Sequence, residues 1–259
     1  LALESLVATP LTRPAVVVEA RQGQLFVVTA NREASRAGIG SDTRLSTAAV
    51  LVASLQVFER APSRERACLE SLASFAHRFT SLVSLDPPEG LLLEVAGSLK
   101  LFGSLAAIKQ SLREELARRS LDYRLCVAPT ATGALWLARA ASSDVLAWHE
   151  LAGRLGALPL AVTRWREPVQ ALLRDLGVRT IGDCARLPRE GFARRVGTTH
   201  LLELDRAYGR SVDLRAEYSA PETWNASVEL GEETVDSALF MAAIEQLIDE
   251  LIVELRKKQ

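Results

Sequence analysis

Carboxylates, guanidiniums and thiols are the groups of this sequence that could do chemistry, and they are unevenly spread. Asp86 and Glu94 lie eight positions apart around the turn Asp86-Pro87-Pro88-Glu89-Gly90. Carboxylates gathered in one place can hold divalent ions. Here two prolines separate Asp86 from the next acid, so Asp86 also reads as a plain hairpin-turn residue. A second group lies in 177–210, where Arg179, Arg186, Arg189, Arg194, Arg195, Arg206 and Arg210 face Asp183, Glu190, Glu203 and Asp205, a local excess of three positive charges. Guanidiniums of this density suit phosphate, and helix N-termini after glycine turns add backbone N–H donors; a solvated arginine face is the alternative. Cys68, Cys126 and Cys184 are odd in number and far apart, with no CxxC and no histidine at ligand spacing. That pattern favours reduced thiols in a cytoplasmic setting over a zinc site or disulfides. His77, His149 and His200 have no acid–nucleophile companion and read as structural. No Gly-rich phosphate loop, GxSxG or HExxH occurs.

The elements that must position these groups follow from the hydrophobic pattern. The chain has 259 residues, 48% hydrophobic and 24% charged, with 31 basic against 32 acidic residues. This composition is ordinary for a globular protein, and any nucleic-acid surface must come from local asymmetry. No apolar run approaches the ~20 residues of a membrane span. The start, Leu1-Ala2-Leu3-Glu4, lacks a basic region and an initiator Met, so the chain reads as a fragment. Val16-Val17-Val18 and Leu25-Phe26-Val27-Val28 flank Gln22-Gly23-Gln24 and predict a hairpin, followed by a helix over about 43–55. After Pro62, Ser63 is a candidate N-cap of a helix with Cys68, Leu72, Phe75, Ala76 and Phe79 on one face. Leu82 to Leu85 and Leu91 to Val95 predict a strand-turn-strand, because Pro-Pro removes two backbone donors and Gly90 eases the return. Ser104 can cap a helix with the stripe Leu105, Ile108, Leu112 and Leu116, and Asp122 to Val127 reads as a strand. Residues 63–127 thus give α-β-β-α-β, one strand short of a ferredoxin-like βαββαβ unit. The alternative is an α+β domain complete as it stands. A helix follows over about 132–149, carrying Trp136 and Trp148 as packing residues, and then short helices broken at Pro159, Pro168, Gly177, Pro188 and Gly197. Residues 211–223 read as a linker. Beyond it come a short strand, Ala226 to Leu230, and an amphipathic helix on Leu239, Ile244, Leu247, Ile248 and Leu251, expected to be the start of a further domain.

Four segments carry a family resemblance. The run from Thr29 through Asn31, Arg32, Glu33, Ala34, Arg36 and Gly38 to Ile39 resembles the fingers motif of Y-family DNA polymerases. Val83-Ser84-Leu85-Asp86 and Leu93-Glu94-Val95-Ala96-Gly97-Ser98 are similar to the two halves of their palm motif. Cys126-Val127-Ala128-Pro129 with Leu137-Ala138-Arg139-Ala140-Ala141-Ser142 resembles a later palm motif. Leu176-Gly177-Val178-Arg179-Thr180-Ile181-Gly182-Asp183 resembles the thumb motif. The hairpin from Ser84 to Leu93 and Leu101-Phe102-Gly103 point within this UmuC-domain family to the ImuB type.

The resemblance implies an α+β right hand: fingers over 11–57, a ferredoxin-like βαββαβ palm over 58–150 with its first strand missing, an all-helical thumb over 151–213, a linker over 214–225, and the start of a truncated little finger over 226–259. It also implies what has been lost. Active members place an adjacent Asp-Glu pair on the palm hairpin, whereas here Asp86 precedes Pro87-Pro88. Because adjacent strand residues point to opposite faces, inserted prolines do not reproduce that pair. The fingers Tyr and Arg map to Arg32 and Ser35, with Arg36 a displaced cation, and the Asn-Lys of the palm maps into Pro129 to Gly133. No catalytic residue and no metal ligand is therefore assigned; Asp86 and Glu94 are vestigial candidates, and Mg2+ is expected only if the protein is active. Arg179, Thr180, Gly182, Arg186, Arg194 and Arg195 are the candidate DNA-binding residues, with Glu167 opposing phosphate at the neighbouring turn. The implied role is a non-catalytic adapter in DNA-damage-induced mutagenesis, cytoplasmic and at the nucleoid. It would bind DNA weakly and bridge the sliding clamp, a RecA-like accessory protein and an error-prone C-family polymerase. An active translesion polymerase and a non-specific DNA-binding module are the alternatives.

Overall fold

Valines on both sides of Gln22-Gly23 build the first sheet. Residues 1–7, 11–219, 226–228 and 237–257 are described in the computed structural model, the side chains of 253–257 excepted. Strands β1 (Ala15–Arg21) and β2 (Gln24–Ala30) pair antiparallel, with Arg21 opposite Gln24. Gln22 and Gly23 have φ of 51° and 76°, the positive pair that a tight two-residue hairpin demands. After α1 (Arg32–Arg36) and α2 (Leu45–Leu51), strand β3 (Gln56–Glu59) adds parallel to β1, giving the order β2-β1-β3. Val16, Val18 and Val27 pack with Ala34, Ile39 and Ala48 on one face, while Val17 meets Leu3 and Phe58 on the other. The sequence pattern does not announce strand β3. It carries only two apolar residues, Val57 and Phe58, and is held by a parallel partner distant in the chain, so it leaves little local signal.

The second layer begins with α3 (Pro62–Ala76), which starts at Pro62 and not after a Ser63 cap. Proline suits the first helical position because its missing N–H would be unpaired there anyway. Strands β4 (Val83–Asp86) and β5 (Gly90–Leu93) form an antiparallel hairpin in the register Val83↔Leu93 to Asp86↔Gly90. A Cβ on Gly90 would lie 2.7 Å from both the Cβ and the carbonyl oxygen of Asp86, so only glycine fits this closing position. Helices α4 (Leu99–Phe102) and α5 (Leu105–Arg118) follow, and the Ser104 hydroxyl accepts from Ala107 N at 3.2 Å as the sequence predicts.

The expected strand at 122–127 is absent: this stretch has no ladder partner among the described residues. Extended sequence becomes a strand only where another strand completes its hydrogen bonds. Between it and β5 lies an apolar cavity of about 650 Å³, lined by Leu69, Leu72, Leu91, Leu93, Leu112 and Leu116. The hairpin is therefore a two-stranded sheet on helices.

Helices α6 (Ala131–Arg139), α7 (Trp148–Gly156), α8 (Glu167–Asp175), α9 (Ile181–Arg186), α10 (Arg189–Arg195) and α11 (Thr198–Ala207) make the third layer. The single helix expected over 132–149 ends at Arg139; residues 140–147 are not helical, and α7 begins only at Trp148. Ala141 adopts φ 52° and Ser142 N returns to Leu137 O, a left-handed termination that ends α6. The core contains Trp136, Leu137, Leu151, Leu155, Leu173, Ile181 and Phe192. Trp136 is fully buried as expected; Trp148, at the first position of α7, is 61% exposed and lies against Gly209. Residues 1–218 form one compact unit, and α12 (Ser237–Lys257) belongs to a second. Residues 226–228 carry no strand, and the rest of the strand expected there, like 220–225 of the expected linker, lies outside the described residues.

Candidate functional site

The turn end of the β4–β5 hairpin gathers acids and arginines from four parts of the chain. Asp86 closes β4, and both of its oxygens accept from guanidiniums: Oδ2 from Arg139 Nη2 at 2.6 Å and Oδ1 from Arg215 Nη1 at 3.2 Å. Arg139 is the last residue of α6 and also donates to the carbonyl of Val162 at 3.1 Å. Arg215 lies past α11 and donates to Thr132 Oγ1 at 3.0 Å. Glu89 at the same turn is ion-paired with Arg164, which follows the 3-10 turn Leu160–Thr163. Burial raises the Glu89 pKa, but the hydrogen bond and charge of Arg164 outweigh it and hold the carboxyl below its usual range. Glu203 on α11 is held by Trp165 Nε1 at 2.7 Å, and its carboxyl is pushed up by burial. Charge-assisted bonds of this kind are shorter and about twice as strong as neutral ones, so the acids here are satisfied within the protein.

Glu94 does not join this cluster. It lies past the opposite end of β5, where its amide pairs with Leu82 O and its Oε1 accepts from Ala96 N at 2.9 Å. Four residue steps separate it from Gly90, roughly 13 Å at 3.3 Å per residue. Among the described residues no three His, Cys, Asp or Glu side chains are grouped to hold a metal ion. Because the Asp86 oxygens already accept from two cations, this donor set does not suit a pair of Mg2+ ions, each of which prefers carboxylate and water oxygens in octahedral geometry.

The cations beside the fingers segment and the hairpin turn are likewise engaged within the protein. A polar cavity of about 470 Å³ runs from Thr29, Ser35 and Ser41 to Pro88 and Glu89, and its cations are Arg60, Arg124 and Arg164. Arg60 is engaged by Glu65 at 2.8 Å and Glu19 at 3.0 Å, Arg124 by the Arg139 carbonyl, and Arg164 by Glu89. Arg32 and Arg36 are exposed. Asn31 is structural, because its Oδ1 accepts from Ala34 N at 2.9 Å and Ala15 N at 3.0 Å, capping α1 and tying it to β1. The thiols are quiet, since burial raises Cys68 and Cys126 and pushes Cys184 up to about 12.

The helical layer treats its charges differently. Thr180 and Asp183 form a capping box at the start of α9, with Asp183 N donating to Thr180 Oγ1 at 3.1 Å and Thr180 N to Asp183 Oδ2 at 2.9 Å. The backbone amides of Thr180 and Arg179, with Arg186, hold the Asp183 carboxyl well below its usual range. Gly182 serves packing: a Cβ there would stand 2.8 Å from the Gly156 carbonyl of α7. Arg189 forks onto Asp205 at 2.7 and 2.6 Å, and Arg206 and Arg210 lie near Asp213 and Asp205. Arg186 is paired with Asp183 and Glu167 with Arg174, so Glu167 is not the isolated repulsive charge its sequence position suggests. Arg179, Arg194 and Arg195 are exposed, and their guanidiniums have no ionic partner among the described residues.

Sequence reasoning missed the partners of the acids. Arg139 lies in a quoted motif and Arg215 in the expected linker, but nothing local to either announces a distant carboxylate.

A two-stranded hairpin on helices, beside a valine-rich sheet and an all-helical layer, is the α+β architecture of the Y-family DNA polymerases. The structure is similar to DinB from Sulfolobus solfataricus, with a TM-score of 0.63 at 16% identity over 80% of this chain and 62% of that one. A post-insertion binary complex of Dbh DNA polymerase gives 0.64 at 17% identity over 96% of this chain and 74% of the other. Residues 3–142 match the impB/mucB/samB family model, and the chain belongs to that family. It is 33% identical over 173 residues to Protein ImuB from Caulobacter vibrioides, covering 66% of this chain. The chain spans 38% of the length of this curated relative. No helix among the described residues is long and apolar enough to cross a membrane.

Proposed function

We propose that the protein is a non-catalytic Y-family polymerase homologue that acts as an adapter in DNA-damage-induced mutagenesis and translesion synthesis. One observation carries this reading: the hairpin acid of the family's palm motif, Asp86, has both oxygens committed to Arg139 and Arg215. Two-metal phosphoryl chemistry requires carboxylates free to face cations, and guanidiniums in their place repel an incoming metal.

DNA contact is retained through Arg179, Arg194 and Arg195, whose guanidiniums are exposed, have no ionic partner among the described residues and suit phosphate oxygens. Such contacts position a protein on the duplex without reading sequence, and the affinity they confer is salt-sensitive. The Dbh structure, a binary complex of a DNA polymerase, supports DNA as the partner of this fold. The similarity to Protein ImuB and the family resemblance support the larger assembly, in which the protein bridges a sliding clamp, a RecA-like accessory protein and an error-prone C-family polymerase.

Primer extension with Mg2+ and dNTPs, combined with co-purification against the three candidate partners, tests the proposal. The expected result is no nucleotide addition and retention of at least one partner. Nucleotide addition that Asp86→Ala abolishes would make the protein a translesion polymerase, and DNA binding without any partner would reduce it to a DNA-binding module.

A further inference from the structure

The segment after α11 reads as a linker in the sequence, yet its first part is fastened at several points. Asp213 Oδ2 accepts from the backbone N–H of Thr132 at 3.0 Å and from its hydroxyl at 2.7 Å, and Thr132 is buried on α6. Arg215 reaches Asp86 and the same Thr132 hydroxyl. Tyr218 N donates to the Val83 carbonyl at 2.7 Å, the Tyr218 carbonyl lies 3.0 Å from His77 Nε2, and the two rings stack with centroids 5.8 Å apart.

These contacts share one register. Arg215 meets Asp86 at the end of β4, and Tyr218 meets Val83 at its beginning, three residues apart on each side and in opposite directions. That is the pairing of an antiparallel strand on the edge of β4 that β5 leaves open. An open edge is a liability that native proteins cover. Only one main-chain hydrogen bond of such a ladder is made, Tyr218 to Val83; the other end of the alignment is held by the side-chain pair of Asp86 and Arg215. Asp86 is in turn oriented by Arg139.

We propose that Asp86, with Arg139 and Arg215, is a positioning site that clips residues 213–218 along the free edge of β4. The hairpin thereby anchors the chain where it leaves the first structural unit. This goes beyond the adapter reading, because it gives Asp86 a role that requires neither metal nor nucleotide nor partner. Retention of the acid on the hairpin then has a physical reason independent of catalysis.

Hydrogen–deuterium exchange of the 213–218 segment, without metal or DNA, tests it. Charge-assisted pairs at partly buried sites protect strongly enough that Arg215→Met should speed exchange there about tenfold, with peptides of β1, β2 and α7 unchanged. Asp86→Asn, isosteric but uncharged, should do the same, and the double variant should be no faster than the quicker single variant, because both remove one clip. Unchanged exchange of 213–218 in Arg215→Met, or acceleration spread equally through β1, β2 and α7, would overturn the proposal.

Discussion

The β4–β5 hairpin and the α9–α11 layer carry similar densities of charge but use them in opposite ways. At the hairpin Asp86 and Glu89 are matched to Arg139, Arg215 and Arg164, so the region presents little free charge to a ligand. In the helical layer Asp205 and Asp183 occupy Arg189 and Arg186, while Arg179, Arg194 and Arg195 stay unpaired and exposed among the described residues. Internal pairing silences a site, and surplus charge of one sign keeps a surface open to a partner. On the proposed reading, the hairpin has given up chemistry while the helical layer keeps a surface for binding.

The sharpest way to break this contrast is to neutralise the exposed arginines. Replacing Arg179, Arg194 and Arg195 together with alanine should lower affinity for duplex DNA about a hundredfold near 0.1 M salt and flatten the salt dependence by nearly three units. Fluorescence anisotropy at several salt concentrations measures both. The same triple change should shift stability by less than about 0.5 kcal/mol per residue, as for other unpaired surface positions.

At the hairpin the effects should reverse. Asp86→Ala removes the carboxylate shared by Arg139 and Arg215, leaving the partly buried Arg139 only the Val162 carbonyl and Arg215 only Asp213 and Thr132. With a fifth of the Asp86 side chain exposed, the loss should be about 2 kcal/mol in urea unfolding, below the full penalty of a buried pair. Its effect on DNA affinity should be small. A weaker perturbation, Thr180→Ala, removes one cap bond of α9 and should cost about 1 kcal/mol, leaving the salt dependence of DNA binding unaltered.

Acid should act mainly on the paired acids. The Arg189 fork is the leading cause that holds the Asp205 carboxyl below its usual range. Its stabilising contribution is present above the unfolded value, roughly pH 4, and is lost as pH falls through the lower folded value. Arg189→Ala should therefore flatten the stability profile below about pH 4, which denaturant midpoints across acidic pH would show.

Much of the fold is legible in the sequence because its signals are local. Gln22-Gly23 between valine runs marks the first hairpin, Pro87-Pro88 with Gly90 the second, and Ser104 a helix start. The stretch 122–127 has the composition of a strand but not its structure, because β character needs a partner as well as a sequence. The span 132–149 reads as one helix because Ala141, an ordinary helix former, adopts a left-handed turn that nothing local demands. For the site, the motif locates Asp86, but its fate depends on residues far away. Arg139 is 53 positions from Asp86 and Arg215 is 129, while Arg164 is 75 from Glu89. Long-range pairing of this kind leaves no periodicity to read.

Titration of the protein with Mn2+, followed by water-proton relaxation with and without Asp86→Ala, tests most directly whether the hairpin carboxylate is committed to arginine. The account predicts weak binding that is the same in both proteins. A tight site present in the wild type and lost in Asp86→Ala would contradict it.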